Sequence, residues 1–116
     1  MAMIEKKKEK AEVKEHKEQK IRYRAYPDIS TYVDYSKRTV EVEIALPGVA
    51  KDNISLKALP TWFALNAPRD EIEYCANYSW GVEIVPEKTT AKYYNGLLKV
   101  TAHIKDPLDG AKEIKF

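Results

Sequence analysis

The sequence predicts an all-β sandwich, and three observations carry that prediction. Several short stretches alternate apolar and polar side chains with a period of two. Turn-forming Pro, Gly and Asn residues separate them at regular intervals. No stretch shows the apolar stripe of an amphipathic helix, and no internal repeat is present. At 116 residues the chain suits one domain, large enough to bury a working core without staples.

In chain order, residues 1–20 form an arm dominated by Lys and Glu, with Ile4, Ala11 and Val13 as its only apolar residues after the first three positions. Those three make no helical stripe. The arm therefore reads as a solvated helix or a disordered tail, solubilising by its charge. The domain spans residues 21–105. Ile21, Tyr23 and Ala25 alternate with Arg22 and Arg24 in a short first strand, which Pro27 ends. Residues 29–35 form a second strand, and Asp34 to Arg38 a turn. The cleanest strand is residues 39–46: Val40, Val42, Ile44 and Leu46 point one way, and Thr39, Glu41, Glu43 and Ala45 the other. Pro47-Gly48 breaks it, since proline fixes φ and glycine supplies the unusual one. Residues 54–58 alternate again. Residues 62–66 follow as a strand, with Phe63, Leu65 and Ala67 inward.

Residues 68–77 are the least periodic and read as loop, with a short strand available at 72–75. Tyr78, Trp80, Val82 and Ile84 alternate with Ser79, Gly81 and Glu83 as one more strand. Pro86-Glu87-Lys88 reads as a turn. A hairpin closes the domain. Its turn is Asn95-Gly96, a pair that tolerates positive φ at both positions as a two-residue type I′ turn requires. After it, Leu98, Val100, Ala102 and Ile104 recur on one face. Residues 106–116 are an extension with two chain breakers, ending in Glu113-Ile114-Lys115-Phe116.

Composition narrows the function. The formal net charge is only +2, and no basic stripe lies outside the arm, so nucleic acid is not an expected partner. Eight tyrosines against two phenylalanines suit half-buried β surfaces. Cys75 is the only cysteine, which excludes an intrachain disulfide and points to a reducing compartment. The first residues are too short an apolar run for a signal peptide, and no run approaches the roughly 18 apolar residues of a membrane span. The expectation is a soluble cytoplasmic protein with no membrane partner.

No catalytic residue, cofactor site or metal site is predicted. His16 lies in the arm and His103 on the polar side of the last strand, with no metal-ligand spacing between any His and Cys. Only four glycines occur, and none builds a phosphate loop. Glu41 and Glu43 share the water face of a strand, and Asp70-Glu71 sits in a loop, so both pairs read as surface. An enzyme is not expected.

Four motifs occur in a telling order. The segment Glu43-Ile44-Ala45-Leu46-Pro47-Gly48-Val49-Ala50-Lys51-Asp52-Asn53-Ile54-Ser55-Leu56 resembles the strand–turn–strand signature of the small heat shock proteins, the α-crystallin domain family. Ala91, followed after three residues by Asn95-Gly96-Leu97-Leu98, resembles that family's A-x-x-x-n-G-v-L signature. Tyr26-Pro27-Asp28-Ile29 is similar to its opening segment, and Ile114-Lys115-Phe116 to its C-terminal I-x-I/V motif. The likeness covers about residues 26–105 and the tail. Pro47, Gly48, Ala91, Asn95, Gly96 and Leu98 carry it.

The resemblance implies an immunoglobulin-like β-sandwich that holds unfolding client proteins without ATP and forms homo-oligomers. It also implies a groove between two edge strands, here lined by Ile54, Leu56, Ala58, Tyr93, Leu97 and Leu98. Ile114 and Phe116 of a neighbouring copy would fill it, since side chains spaced i, i+2 on an extended segment project to one side. The residues alone leave a second reading of the tail open, as a last strand packed on its own chain or a terminus that frays.

The chain departs from the family pattern twice. The family's N-terminal arm is usually apolar, whereas this one is charged. Non-animal members carry a long loop with a strand that swaps into the partner, whereas segment 68–77 is short and leaves only 72–75 for that role. The same sandwich also occurs in adaptor domains of the CS/p23 type, which dock on one defined partner. The charged arm favours that alternative and the tail argues against it.

Overall fold

The computed structural model describes residues 22–116, so the charged arm expected over residues 1–20 lies outside the described residues. Eight strands follow one another: β1 (Tyr23–Ala25), β2 (Ile29–Asp34), β3 (Thr39–Ala45), β4 (Ser55–Ala58), β5 (Trp62–Arg69), β6 (Ile72–Ser79), β7 (Ile84–Tyr94) and β8 (Leu97–Ile104). A single 3-10 turn at Lys51–Asn53 leads into β4. They form two four-stranded sheets, ordered β1-β6-β5-β4 and β2-β3-β8-β7. Every pairing is antiparallel except β1 with β6.

The period-two patterns decide the layering. Val40, Val42, Ile44, Val100, Ala102 and Leu98 from one sheet meet Phe63, Leu65, Ala67 and Ala76 from the other, all buried. Phe63 stands at the centre, tilted against Tyr78 at 5.6 Å and Trp80 at 4.8 Å between ring centroids. Such tilted pairs contribute beyond their buried area.

Three expectations are corrected, each for a physical reason. Residues 68–77 are not a loop. β5 runs on through Ala67, Pro68 and Arg69, and β6 pairs back along its whole length, Trp62↔Ser79 to Arg69↔Ile72. The connecting turn is Asp70-Glu71, with Asp70 at φ 42°. Aspartate tolerates that left-handed region better than most residues, but without glycine the pair does not stand out as a hairpin turn. Pro68 costs no ladder bond. In a two-residue hairpin the pair beside the turn is hydrogen-bonded and the next is not, so the Pro68 nitrogen faces away from β6, beyond where β4 ends. A strand at 72–75 able to swap is likewise not free, since it sits between β5 and β1 of its own chain.

Residues 78–84 are not one strand. β6 ends at Ser79 and β7 starts at Ile84, because the chain must cross there from one sheet to the other. Gly81, at φ 80°, makes the turn, while Trp80 tucks into the core with its indole Nε1 donating to the Leu59 carbonyl at 2.9 Å. The alternating apolar residues all point inward, which is why they read as a strand.

Pro86-Glu87-Lys88 does not separate two strands. It lies inside β7, where the register to β8 jumps from Val85↔His103 to Thr90↔Thr101. Residues 86–89 on β7 thus face Ala102 alone on β8, an irregular bulge of four residues against one. The Thr89 hydroxyl donates to the Val85 carbonyl across it at 3.4 Å.

Candidate binding cleft between two edge strands

β4 is an edge of one sheet and β7 an edge of the other. Where they approach, they leave an open cleft of about 530 Å³ lined by Lys51, Ile54, Leu56, Ala58, Pro86, Thr89, Thr90, Ala91, Tyr93 and Leu98. Each wall follows from local sequence. The alternation in β4 turns Leu56 and Ala58 toward the interior, and Ile54, just ahead of the strand, joins them. In β7, Ala91 and Tyr93 pair with Val100 and Leu98 and share their face of the sheet. Leu98, almost fully buried, forms the floor. Ala91 is exposed, and its small side chain leaves the middle of the cleft open.

Five of the six residues expected in the groove, Ile54, Leu56, Ala58, Tyr93 and Leu98, come together here. Leu97 does not. It is paired with Ala45 and Tyr94 on the outer face of its sheet, and is 41% exposed, because neighbouring strand residues point to opposite faces.

The signature residues Pro47, Gly48, Asn95 and Gly96 do not line the cleft either. They brace one end of it, where their two turns meet. The Leu46 amide donates to the Gly96 carbonyl at 2.7 Å. The Tyr93 hydroxyl lies 2.8 Å from the Leu46 carbonyl oxygen and 2.7 Å from that of Val49, and gives its one proton to either. Gly96 sits at φ 78°, and a Cβ there would come within 3.2 Å of the Pro47 Cα. Arg69 lies against Gly48 and donates from Nη1 to the Pro47 carbonyl at 2.8 Å, so a Cβ on Gly48 would run into the Arg69 guanidinium.

Sequence reasoning passed over Arg69, Lys51, Pro86 and Thr89. Arg69 looked like a loop charge, and it reaches Pro47 only through the β5–β6 hairpin. Pro86 and Thr89 enter the cleft through the bulge, which has no period to read. The cleft is walled mainly by carbon, with Lys51, Thr89, Thr90 and Tyr93 as its polar side chains. It can desolvate apolar side chains and offer the two strand edges beside them as hydrogen-bonding rails. Among the described residues no group of three or more His, Cys, Asp or Glu could hold a metal ion. Among them, too, no helix is long and apolar enough to cross a membrane.

The tail lies apart from the cleft. Residues 111–116 form no strand, and Ile114 and Phe116 are both exposed to solvent. The reading in which they pack on their own chain as a last strand is therefore corrected. The segment's only two apolar anchors are separated by Lys115, which gives a strand too little surface to bury.

No family model matches the sequence, and no curated protein matches it. Solved structures do match it in shape. The heat shock protein 16.0 of Schizosaccharomyces pombe superposes with a TM-score of 0.66 at 20% identity, over 85% of this chain and 80% of that one. A deletion mutant of Hsp14.1 from Sulfolobus solfataricus P2 gives 0.61 at 22% identity, over 69% of this chain and 76% of that one. A point mutant of the same protein gives 0.61 at 20% identity, over 78% of each chain. The fold is that of the small heat shock proteins. With it, the β4–β7 cleft lies between edge strands of an α-crystallin-type sandwich.

Proposed function

We propose that this chain is a small heat shock protein: an ATP-independent holdase that binds partly unfolded proteins and limits their aggregation, working as a homo-oligomer. The observation that carries the reading is the β4–β7 cleft, an open apolar slot flanked by two strand edges and braced at one end by both signature turns. The shared fold and the signature residues support it. In this reading Ile114 and Phe116 of one copy enter the cleft of another, with Lys115 facing water between them. Burying each knob contributes roughly 1.5–3 kcal/mol before ordering costs. Partly unfolded chains compete for the same apolar slot and strand edges, which keeps them from pairing with one another.

The test is light scattering of a heat-unfolded model protein with and without this chain, with no nucleotide added. Suppression at a near-equimolar ratio is expected. No delay at several-fold molar excess would sink the holdase reading.

A further inference from the structure

The inward row of β5 runs Phe63, Leu65, Ala67 and then Arg69. A cation that ends an apolar row has to find polar partners where the core stops. Arg69 finds them on the Pro47-Gly48 turn. Its guanidinium lies over Gly48, Nη1 donates to the Pro47 carbonyl at 2.8 Å, and Nη2 lies 3.2 Å from Asp70 Oδ2. Its Nε is closed off from solvent and has no hydrogen-bond partner among the described residues. A guanidinium held with one buried donor unpaired is placed by its neighbours and not by its own hydration.

The same turn is held from its other side by the cleft. The Leu46 and Val49 carbonyl oxygens lie 2.8 Å and 2.7 Å from the Tyr93 hydroxyl, and the Leu46 amide donates to the Gly96 carbonyl. Of the carbonyls of Leu46, Pro47 and Val49, the outer two thus face a side chain of the cleft wall, and the one between them faces Arg69. Peptide units are rigid planes, so a rotation at Pro47 passes to the units on either side. With the guanidinium gone, the Pro47 carbonyl is free to swing toward water, and the pair of acceptors that fixes the Tyr93 ring swings with it.

Resting on the reading of the tail above, we infer that Arg69 is a positioning residue for the cleft. It touches nothing that enters the slot. By clamping the Leu46–Val49 turn from outside, it holds the Tyr93 ring as a preformed wall for Ile114 and Phe116 of a second copy. A wall fixed in advance need not be ordered when the tail arrives, so the clamp acts on affinity as well as on stability.

The experiment measures that affinity. In the full chain carrying Ile114→Ala and Phe116→Ala no resident tail competes, and a fluorescent peptide of residues 110–116 reports binding by anisotropy. Arg69→Met keeps the aliphatic stem and removes the donors. It should weaken the peptide several-fold under conditions where both proteins are folded. A role in stability alone lowers the urea midpoint and leaves that affinity unchanged, which overturns the proposal. Tyr93→Phe should weaken the peptide too, and the two changes together no more than the stronger one alone, since they cut one line of support. Losses that multiply mark independent supports and overturn it as well. Should Arg69→Met not fold, Arg69→Lys, which keeps the charge but not the planar fork, takes its place with the same expectations. If the parent binds no peptide, the tail reading falls, and the Tyr93 ring resonances then judge Arg69 by themselves. The Arg69 change should shift them while those of the exposed Tyr32 and Tyr35 stay in place, and unmoved Tyr93 resonances overturn the clamp.

Discussion

Tyr93 shows how much a single polar atom can decide in this sandwich. Its ring forms part of the cleft wall, and its hydroxyl ties β7 to the Leu46 and Val49 carbonyls. Tyr93→Phe keeps the ring and removes the tie. We expect a loss of about 1 kcal/mol, since one hydrogen bond is lost at a half-buried site, read as a lower urea midpoint with unchanged slope. Asp34 is a second such point. Its Oδ1 accepts from the Ser36 hydroxyl at 2.6 Å, the Ser36 amide at 3.0 Å and the Lys37 amide at 3.1 Å, closing the β2–β3 turn. The Ser36 hydroxyl first, then the Lys37 amide, hold its carboxyl below the ordinary carboxylate range. The folded state thus favours the charged form. Its contribution is present above the unfolded pKa and fades as pH falls through the folded one. Asp34→Asn should therefore lower stability near neutrality, with the gap from the parent closing as pH falls through the folded pKa of Asp34, so that the acid limb is flatter. A limb of unchanged steepness would show that other carboxylates set it.

At the scale of elements, β4 and β7 matter because each is an edge strand with an apolar row turned toward the other. Ala91 is the smallest residue in the β7 wall, and filling its place should close the slot without touching the core. If the proposed docking of the tail in the cleft holds copies together, Ala91→Leu and the double change Ile114→Ala, Phe116→Ala act on its two halves, and both should lower assembly mass toward a dimer or monomer. Size-exclusion chromatography with light scattering reads this directly. If the tail does not bridge copies, neither change moves the mass. The β5–β6 hairpin teaches a different lesson. Its strands do alternate, with Phe63, Leu65, Ala67, Tyr74, Ala76 and Tyr78 on the core face and Asn66, Glu73, Cys75 and Asn77 on the outer one, but Pro68, Arg69 and a turn without glycine hide the pattern where they meet. Pairing with β4 and β1 on either side supplies what the local sequence lacks.

At the scale of the whole molecule, the core is one layer between two sheets, and Phe63 sits where they close. Phe63→Ala removes a fully buried ring that touches Tyr78 and Trp80. A loss of about 3–5 kcal/mol is expected, a large share of the 5–15 kcal/mol typical of a domain. Collapse of the near-UV circular dichroism together with the cleft's binding would mark it. A loss under 1 kcal/mol would mean the sheets close without that ring.

The sequence by itself determined the sandwich, the inward rows of β3, β5 and β8, and the two signature turns. It could do so because alternation and turn chemistry act over a few residues and need no partner. Through the family resemblance it also named five of the ten residues that line the cleft, Ile54, Leu56, Ala58, Tyr93 and Leu98. The tertiary structure alone decided three things: that segment 68–77 is a hairpin, that Pro86 and Thr89 reach the cleft through a bulge, and that β1 lies parallel on part of β6. Each depends on which strands become neighbours across tens of residues, and neither pairing nor register is written in the local period. Arg69 follows the same rule, since its partner at Pro47 is set by the packing of two distant turns and not by any spacing along the chain.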